Sequence, residues 1–370
     1  MHHGSKDLLQ ATQMLSIPTK PQQPRSKKIR VGLAGLGKFG CNHAEILAHC
    51  PKAELTAVCD TDAIALEKQL ERHRHSRGYR SFEDLIADSQ LDAIVIATPE
   101  HLHHAHALAA IRAGHSVFLE KPIASRLQDA EELRQASRAA KTIFQIGFVL
   151  RYEASHVKLK QEIATGSFGE IISIRAKRNC SRQWAKFHLD HGHTIYETLI
   201  HDLDLMLWLT DSQPERVMAM EREPKTYQYS EALNALIHFR NGSLGIVESS
   251  WFVPDGSPLN VSTELWKGTI DAELEVVGSQ RTAKLRLLDA PLQIWSEHAS
   301  ESIDVGLWPL LHGSISGALR DELYDFIECV QEQRASTIAN LDDAIEGLRM
   351  AEAIQSAASS GRILTLLNEQ

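Results

Sequence analysis

Apolar positions do not recur with any period in the first 28 residues. Pro18, Pro21 and Pro24 punctuate a polar stretch, which reads as a flexible arm. From Ile29 the texture changes. Short runs that are apolar throughout (Ile29–Ala34, Leu55–Cys59, Ala93–Ala97, Ser116–Leu119, Ile143–Gly147) alternate with segments of helical period. Those segments are Cys41–Cys50, Thr61–Arg74, Ser81–Ala87, His104–Ala113 and Leu127–Lys141. A strand that is apolar at every position has both faces covered, so residues 29–150 are expected to form a doubly wound, Rossmann-type parallel sheet.

Beyond Arg151 the pattern turns strand-rich. Ile171–Lys177, Val217–Met220, Ala232–Phe239, Ser243–Ser250, Ala272–Val277 and Lys284–Leu288 read as strands, and Asn241-Gly242 is a strong hairpin signal. One helix, Ile195–Leu209, interrupts them, and two more, Gly317–Gln333 and Leu341–Ser360, close the chain. Residues 151–370 are therefore expected to form an α+β domain with a large, mostly antiparallel open sheet.

Composition narrows the function classes. The 370 residues carry 39 Lys and Arg against 48 Asp and Glu, a net charge of −9, with no basic run, so a nucleic-acid partner is not expected. No apolar stretch reaches the length of a membrane span, and the first residues lack the pattern of a secretory signal. Five cysteines (Cys41, Cys50, Cys59, Cys180, Cys329), none spaced as CxxC, fit a reducing cytoplasm rather than a disulfide framework. The histidines at 101, 103, 104 and 106 lack an accompanying carboxylate cluster, and His188, Asp190, His191 and His193 read as a flexible, polar substrate-side loop, so no metal site is expected.

Gly35, Gly37 and Gly40 follow the first strand and open the first helix, the context in which GxGxxG binds a dinucleotide. The first glycine permits the turn, the second admits the pyrophosphate, and the third lets the helix pack. Lys38 and Phe39 lie between them and count as cofactor contacts. Phe39 stands where a P-loop needs Ser or Thr, which excludes a nucleotide hydrolase. Asp60 ends the second strand 20 residues after Gly40, where a carboxylate binds ribose hydroxyls. A 2′-phosphate there would meet a like charge, at ~4 kcal/mol for unit charges ~4 Å apart at an effective dielectric of about 20. The pattern thus favours NAD over NADP.

Two further stretches, Thr98-Pro99-Glu100-His101-Leu102-His103 and Glu120-Lys121-Pro122, follow later strands. With the glycine turn and the Ile200-His201-Asp202 segment downstream, they give the chain from about Lys28 onward a resemblance to the Gfo/Idh/MocA family of sugar and cyclitol dehydrogenases. The resemblance implies a nucleotide-binding domain followed by an α/β domain whose open sheet mediates a homodimer or homotetramer. It also implies that Thr98, Pro99, His103, Glu120 and Lys121 border the cofactor. Physical chemistry independently gives Lys121, at a strand's carboxyl end, the task of stabilising a developing alkoxide.

In Ile195–Leu209, Glu197, His201, Asp204 and Trp208 recur along one helical face. The family carries an Asp four residues before its catalytic His. His201 matches that histidine, and Glu197 replaces the Asp. Asp202 and Asp204 read as structural. The expected mechanism has His201 as general base on a secondary hydroxyl, Glu197 orienting it or binding a neighbouring hydroxyl, and Lys121 supporting the oxygen. Arg151, Tyr152 and Asn179 are expected as substrate contacts. Two other functions stay open: a redox-neutral enzyme with tightly bound NAD (elimination, epimerisation or glycoside cleavage), and a non-catalytic nucleotide-responsive regulator.

Overall fold

A computed structural model describes residues 27–184, 192–225, 227–262, 267–289, 292–295, 297, 300–302 and 306–366. The arm expected over residues 1–28 and the loop histidines His188 and His191 fall almost wholly outside them.

The first half is built on β1 (Ile29–Ala34), β2 (Ala53–Cys59), β3 (Arg77–Tyr79), β4 (Ala93–Ile96), β5 (Ser116–Glu120) and β6 (Phe144–Gly147). These six pair in parallel in the order 3-2-1-4-5-6. Helices α1 (Lys38–His49), α2 (Ala63–Arg72), α3 (Phe82–Ile86), α4 (His103–Arg112) and α5 (Leu127–Ala140) connect them. Every residue of β4 is buried, as continuous apolarity demands. Helix starts are set by side chains: Asp62 accepts hydrogen bonds from the amides of Ile64 and Ala65, and Ser81 from that of Asp84. The strand order reverses between β1 and β4, which opens a crevice at their carboxyl ends.

The second half begins with α6 (Ala154–Ala164), which the sequence pattern did not suggest. Then come β7 (Ile171–Ser181), a π-helical turn (Ile195–Leu199), α7 (Ile200–Thr210), β8 (Pro214–Glu221), β9 (Ala232–Phe239) and β10 (Leu244–Val253). A two-residue ladder, β11 (Val261–Ser262) and β12 (Lys267–Gly268), precedes β13 (Ile270–Gly278) and β14 (Thr282–Arg286). Two short hairpins, β15–β16 (Gln293–Trp295, Ser300–Ser302) and β17–β18 (Leu310–Leu311, Ser314–Ile315), lead to α8 (Ala318–Glu332), α9 (Leu341–Ser360) and β19 (Leu364–Thr365). The seven-stranded sheet runs 14-13-7-10-9-8-19 and is antiparallel except where β7 meets β10. The Asn241-Gly242 turn joins β9 to β10 as its signal predicts, with Gly242 at φ +89°.

Alternation along β9 and β10 buries one sheet face against the helices. The other face exposes Ile172, Met218, Met220, Leu236, Leu244 and Ile246. One continuous hydrophobic core spans both sheets, with Phe118 of β5 packed on Phe326 of α8 and Leu203 of α7 fully buried in it. No described helix is long and apolar enough to cross a membrane.

Candidate active site

The crevice at the β1/β4 switch is a cleft of about 520 Å³ lined by Gly35, Gly37, Asp60, Thr98, Glu100 and Lys121, among others. Its glycines do different work. A Cβ on Gly35 would lie 2.4 Å from the Ala97 carbonyl oxygen, and one on Gly40 would lie 1.8 Å from that of Gly35. Neither position tolerates a side chain. A Cβ on Gly37 would meet nothing within 4 Å, because it faces the open cleft. That is the vacant approach a pyrophosphate requires at the amino end of α1. Asp60 braces the turn: its two oxygens accept from the amides of Leu36 (2.7 Å) and Asp62 (2.8 Å).

The opposite wall is fixed from behind. His103 is buried, with Nδ1 2.6 Å from the Pro122 carbonyl and Nε2 2.8 Å from that of Thr98. It ties the loops after β4 and β5 together. Burial holds its pKa down, so the neutral ring donates to one carbonyl at a time. His43, buried on α1, lies 2.7 Å from Glu120. That contact holds the buried Glu120 carboxyl below its usual range despite desolvation, which pushes the other way. The Lys121–Pro122 peptide that follows is cis.

Lys121 then reaches across to the second half. Its Nζ donates to the Glu197 carbonyl at 2.9 Å and pairs with the Glu197 carboxylate at 3.3 Å. The receiving segment is the π-helical turn, a widened geometry found frequently at functional sites. A hydroxyl knot anchors it. Thr194, Thr198 and Ser249 of β10 exchange hydrogen bonds at 2.7–3.0 Å, and the Trp251 indole donates to Thr198. One turn on, His201 is half-buried, with Nδ1 enclosed and without a hydrogen-bond partner. Burial first, then the charges of Lys121 and Arg178, drive its pKa well below the ordinary value, so the imidazole is neutral at pH 7.

His201 faces a chamber that also presents Arg178, Cys180, Trp184, Thr198 and Trp308. Lys38 lies over the Trp184 ring at 4.8 Å, and Phe39 meets Trp308 edge-on. Burial and Lys121 push the Lys38 ammonium down to about 7. Burial pushes the Cys180 thiol up to about 12, leaving it unreactive.

Three expected substrate contacts are not brought to this site. Arg151 is buried in a pairing with Asp204 (2.7 Å) and Asp343 (2.7 Å), and its charge fixes α7 against α9. The Tyr152 hydroxyl donates to Asp325 from within the core. Asn179 bonds Glu248 and Ser250 on the sheet's outer side. Its neighbours Arg178 and Cys180 take the inward parity of β7 instead. Asp202 and Asp204 are structural as expected, each held by an arginine. Trp208, expected on the stripe with His201, packs near Arg151 instead. Among the described residues no three His, Cys, Asp or Glu side chains gather in metal-binding reach.

The sequence reading missed His43, Glu100, Arg178, Cys180, Trp184 and Trp308. Only His43 had a legible signal, three residues past the last glycine on the inward face of α1. Glu100 lines the cofactor cleft, and burial and Glu197 raise its carboxyl to about 7.

A parallel sheet with an open glycine turn at its switch point, braced by an aspartate, defines a dinucleotide-binding fold. Comparison with known proteins agrees. Residues 29–148 match the model of the oxidoreductase family with an NAD-binding Rossmann fold, and residues 156–284 match the GFO/IDH/MocA C-terminal domain. The chain belongs to the GFO/IDH/MocA family and is an NAD-dependent oxidoreductase.

Among curated relatives, inositol 2-dehydrogenase of Salmonella typhimurium is 27% identical over 70% of this chain and 74% of its own. An inositol 2-dehydrogenase/D-chiro-inositol 3-dehydrogenase of Halalkalibacterium halodurans is 26% identical over 90% of this chain and 92% of its own. The fold is similar to that of myo-inositol 2-dehydrogenase from Lactobacillus plantarum, with a TM-score of 0.79 and 24% identity over 92% of this chain and all of that one. It is also similar to GenD2 of gentamicin A biosynthesis in complex with NAD, with a TM-score of 0.80 and 19% identity over 95% and 99% of the two chains.

Proposed function

We propose that this chain oxidises a secondary hydroxyl of a sugar or cyclitol, or reduces the corresponding ketone, with NAD as the redox partner. The observation that carries the reading is the meeting of Lys121, from the first sheet, with Glu197 and His201, from the second half, between the open glycine turn and the Trp184–Trp308 chamber.

Residues 29–150 hold the cofactor and residues 151–370 hold the substrate. Gly35, Gly37, Lys38, Phe39 and Gly40 receive the pyrophosphate, and Asp60 binds the ribose and selects NAD over NADP. Thr98, Pro99, His103 and Glu120 shape the nicotinamide end. Bound there, NAD supplies the ring that accepts hydride. His201, neutral because it is buried beside two cations, takes the hydroxyl proton. The Lys121 ammonium stabilises the oxygen as negative charge develops on it. Glu197 holds that ammonium in place and offers its second oxygen to a neighbouring hydroxyl. Arg178 is a better substrate-side candidate than Arg151, Tyr152 or Asn179, since it alone borders the chamber.

The apolar outer face of the second sheet supports a homodimer or homotetramer through that face. Light scattering that returns a monomer would end that part of the reading. The five free cysteines support a cytoplasmic setting.

The decisive experiment follows NADH absorbance while inositols, hexoses and amino sugars are offered in turn. NADH formation from one of them is the expected result. Protein that retains bound NAD yet yields no net NADH from any polyol would instead favour the redox-neutral alternative.

A further inference from the structure

Oxidation of an alcohol to a ketone releases one hydride and one proton, and the proton has to leave. His201 is poorly suited to keep it, since an imidazolium there would sit enclosed between Lys121 and Arg178. The carboxylate of Glu197 lies beside the same pole but is already engaged by the Lys121 ammonium.

A second carboxyl stands next to it. Glu100, in the short turn after β4, lines the cofactor cleft, and its Oε2 is buried with no hydrogen-bond partner. Its Oε1 and the Cγ of Glu197 each lie 3.6 Å from the point where a Cβ on Gly192 would project, so the two side chains meet at one glycine, and both line the cofactor cleft with Lys121. Facing Glu100 are Lys121 from the β5 loop, Glu197 and Tyr196 from the π-helical turn, and His103 from α4. Lys121 pairs with the Glu197 carboxylate, and its charge also reaches Glu100.

We propose that Glu100 is where the reaction's proton comes to rest: it accepts that proton from the His201 pole by way of Glu197 and releases it into the cofactor cleft. This rests on the dehydrogenase reading above. The balance is simple. One O–H bond of the substrate breaks at His201, one O–H bond forms on Glu100, and His201 and Glu197 each return to their starting state. In ketone reduction the same proton runs back. Glu100 therefore acts through Glu197 rather than on substrate. Desolvation and the like charge of Glu197 raise its carboxyl to about 7, which suits a group that must both take and give a proton at neutral pH.

Two measurements test this, one without turnover. In nucleotide-free protein, infrared spectroscopy should show a carboxylic-acid carbonyl band that disappears as pH rises through about 7, and Glu100→Gln should remove it. A wild-type protein without that band, or a variant that keeps it, overturns the proposal.

In turnover, Glu100→Gln should lower kcat by about 100-fold and erase the acidic limb near pH 7. Added formate or imidazole should partly restore the rate, and Glu100→Asp should restore the limb. Retention of NAD binding by Glu100→Gln shows that it is folded. A folded variant with an intact limb and no rescue refutes the relay while leaving the dehydrogenase reading standing. Failure of the wild type to form NADH from any polyol refutes both.

Discussion

Two stretches of one helical segment carry the same residue types to opposite ends. In α7, Asp202 receives a two-pronged Arg178 and Asp204 a two-pronged Arg151, so both acids are buried and fully neutralised. In the π-helical turn before it, Glu197 pairs with Lys121 while the nearby Glu100 leaves a buried carboxyl oxygen without a hydrogen-bond partner, and at the first turn of α7 itself His201 leaves a ring nitrogen unpartnered. Acid saturated by a matched cation is scaffold, and acid left short of cation is where chemistry can occur. The distinction lies in the partners, which come from β6–β7 and β5, and not in the helix's own sequence.

The sharpest way to break this contrast is to unpair the saturated end. Arg151→Ala should cost ~3–5 kcal/mol in denaturant unfolding, because it strands a buried carboxylate. Its KM for substrate should stay near that of the wild type. A large KM increase without loss of stability would return Arg151 to the substrate.

At the unsaturated end, Lys121→Ala should lower kcat/KM by about 100-fold or more, ~2.7 kcal/mol, with NAD affinity nearly intact. Unchanged turnover would remove Lys121 from the mechanism.

Glu100 gives a smaller effect that depends on pH. An unfolded glutamate ionises near ~4.3, whereas Glu100 in the fold holds its proton to about 7. The fold is therefore unpenalised below the lower value and loses stability as pH rises towards the upper one. Glu100→Gln should accordingly exceed the wild type at pH 8, by on the order of 2 kcal/mol, and match it near pH 4. Parallel stability curves would contradict the buried acid. The smallest expected effect is Asp60→Ala, which should relax the preference for NAD over NADP by about 10-fold, ~1.4 kcal/mol; a wild type that already prefers NADP would overturn the assignment.

Much of this was legible in the chain. Apolar runs located five of the six parallel strands, and β3 escaped because Arg77–Tyr79 is an edge strand too short and polar to show a period. The glycine turn, Asp60, Lys121, Glu197 and His201 could be read because each follows a strand end or a helix face whose geometry is local. What could not be read is long-range. Choosing Arg178 over Asn179 requires knowing which face of β7 the helices cover, a one-residue parity that the neighbouring strands decide. Arg151 looked like a substrate contact because nothing nearby in sequence reveals Asp204 or Asp343. The π-helical turn has no sequence period of its own, and Glu100 acquires its character from burial in the assembled cleft and from Glu197, almost a hundred residues away.

The tether at Ser249 has an architectural consequence. Ser249 points inward to Thr194 and Thr198, while the residues on either side of it, Glu248 and Ser250, point outward beside Asn179. A single thickness of polypeptide separates the exposed apolar face of the second sheet from the segment that carries Glu197. No further side-chain layer lies between β10 and Thr194 and Thr198, so the placement of the turn that carries Glu197 is set directly by this strand.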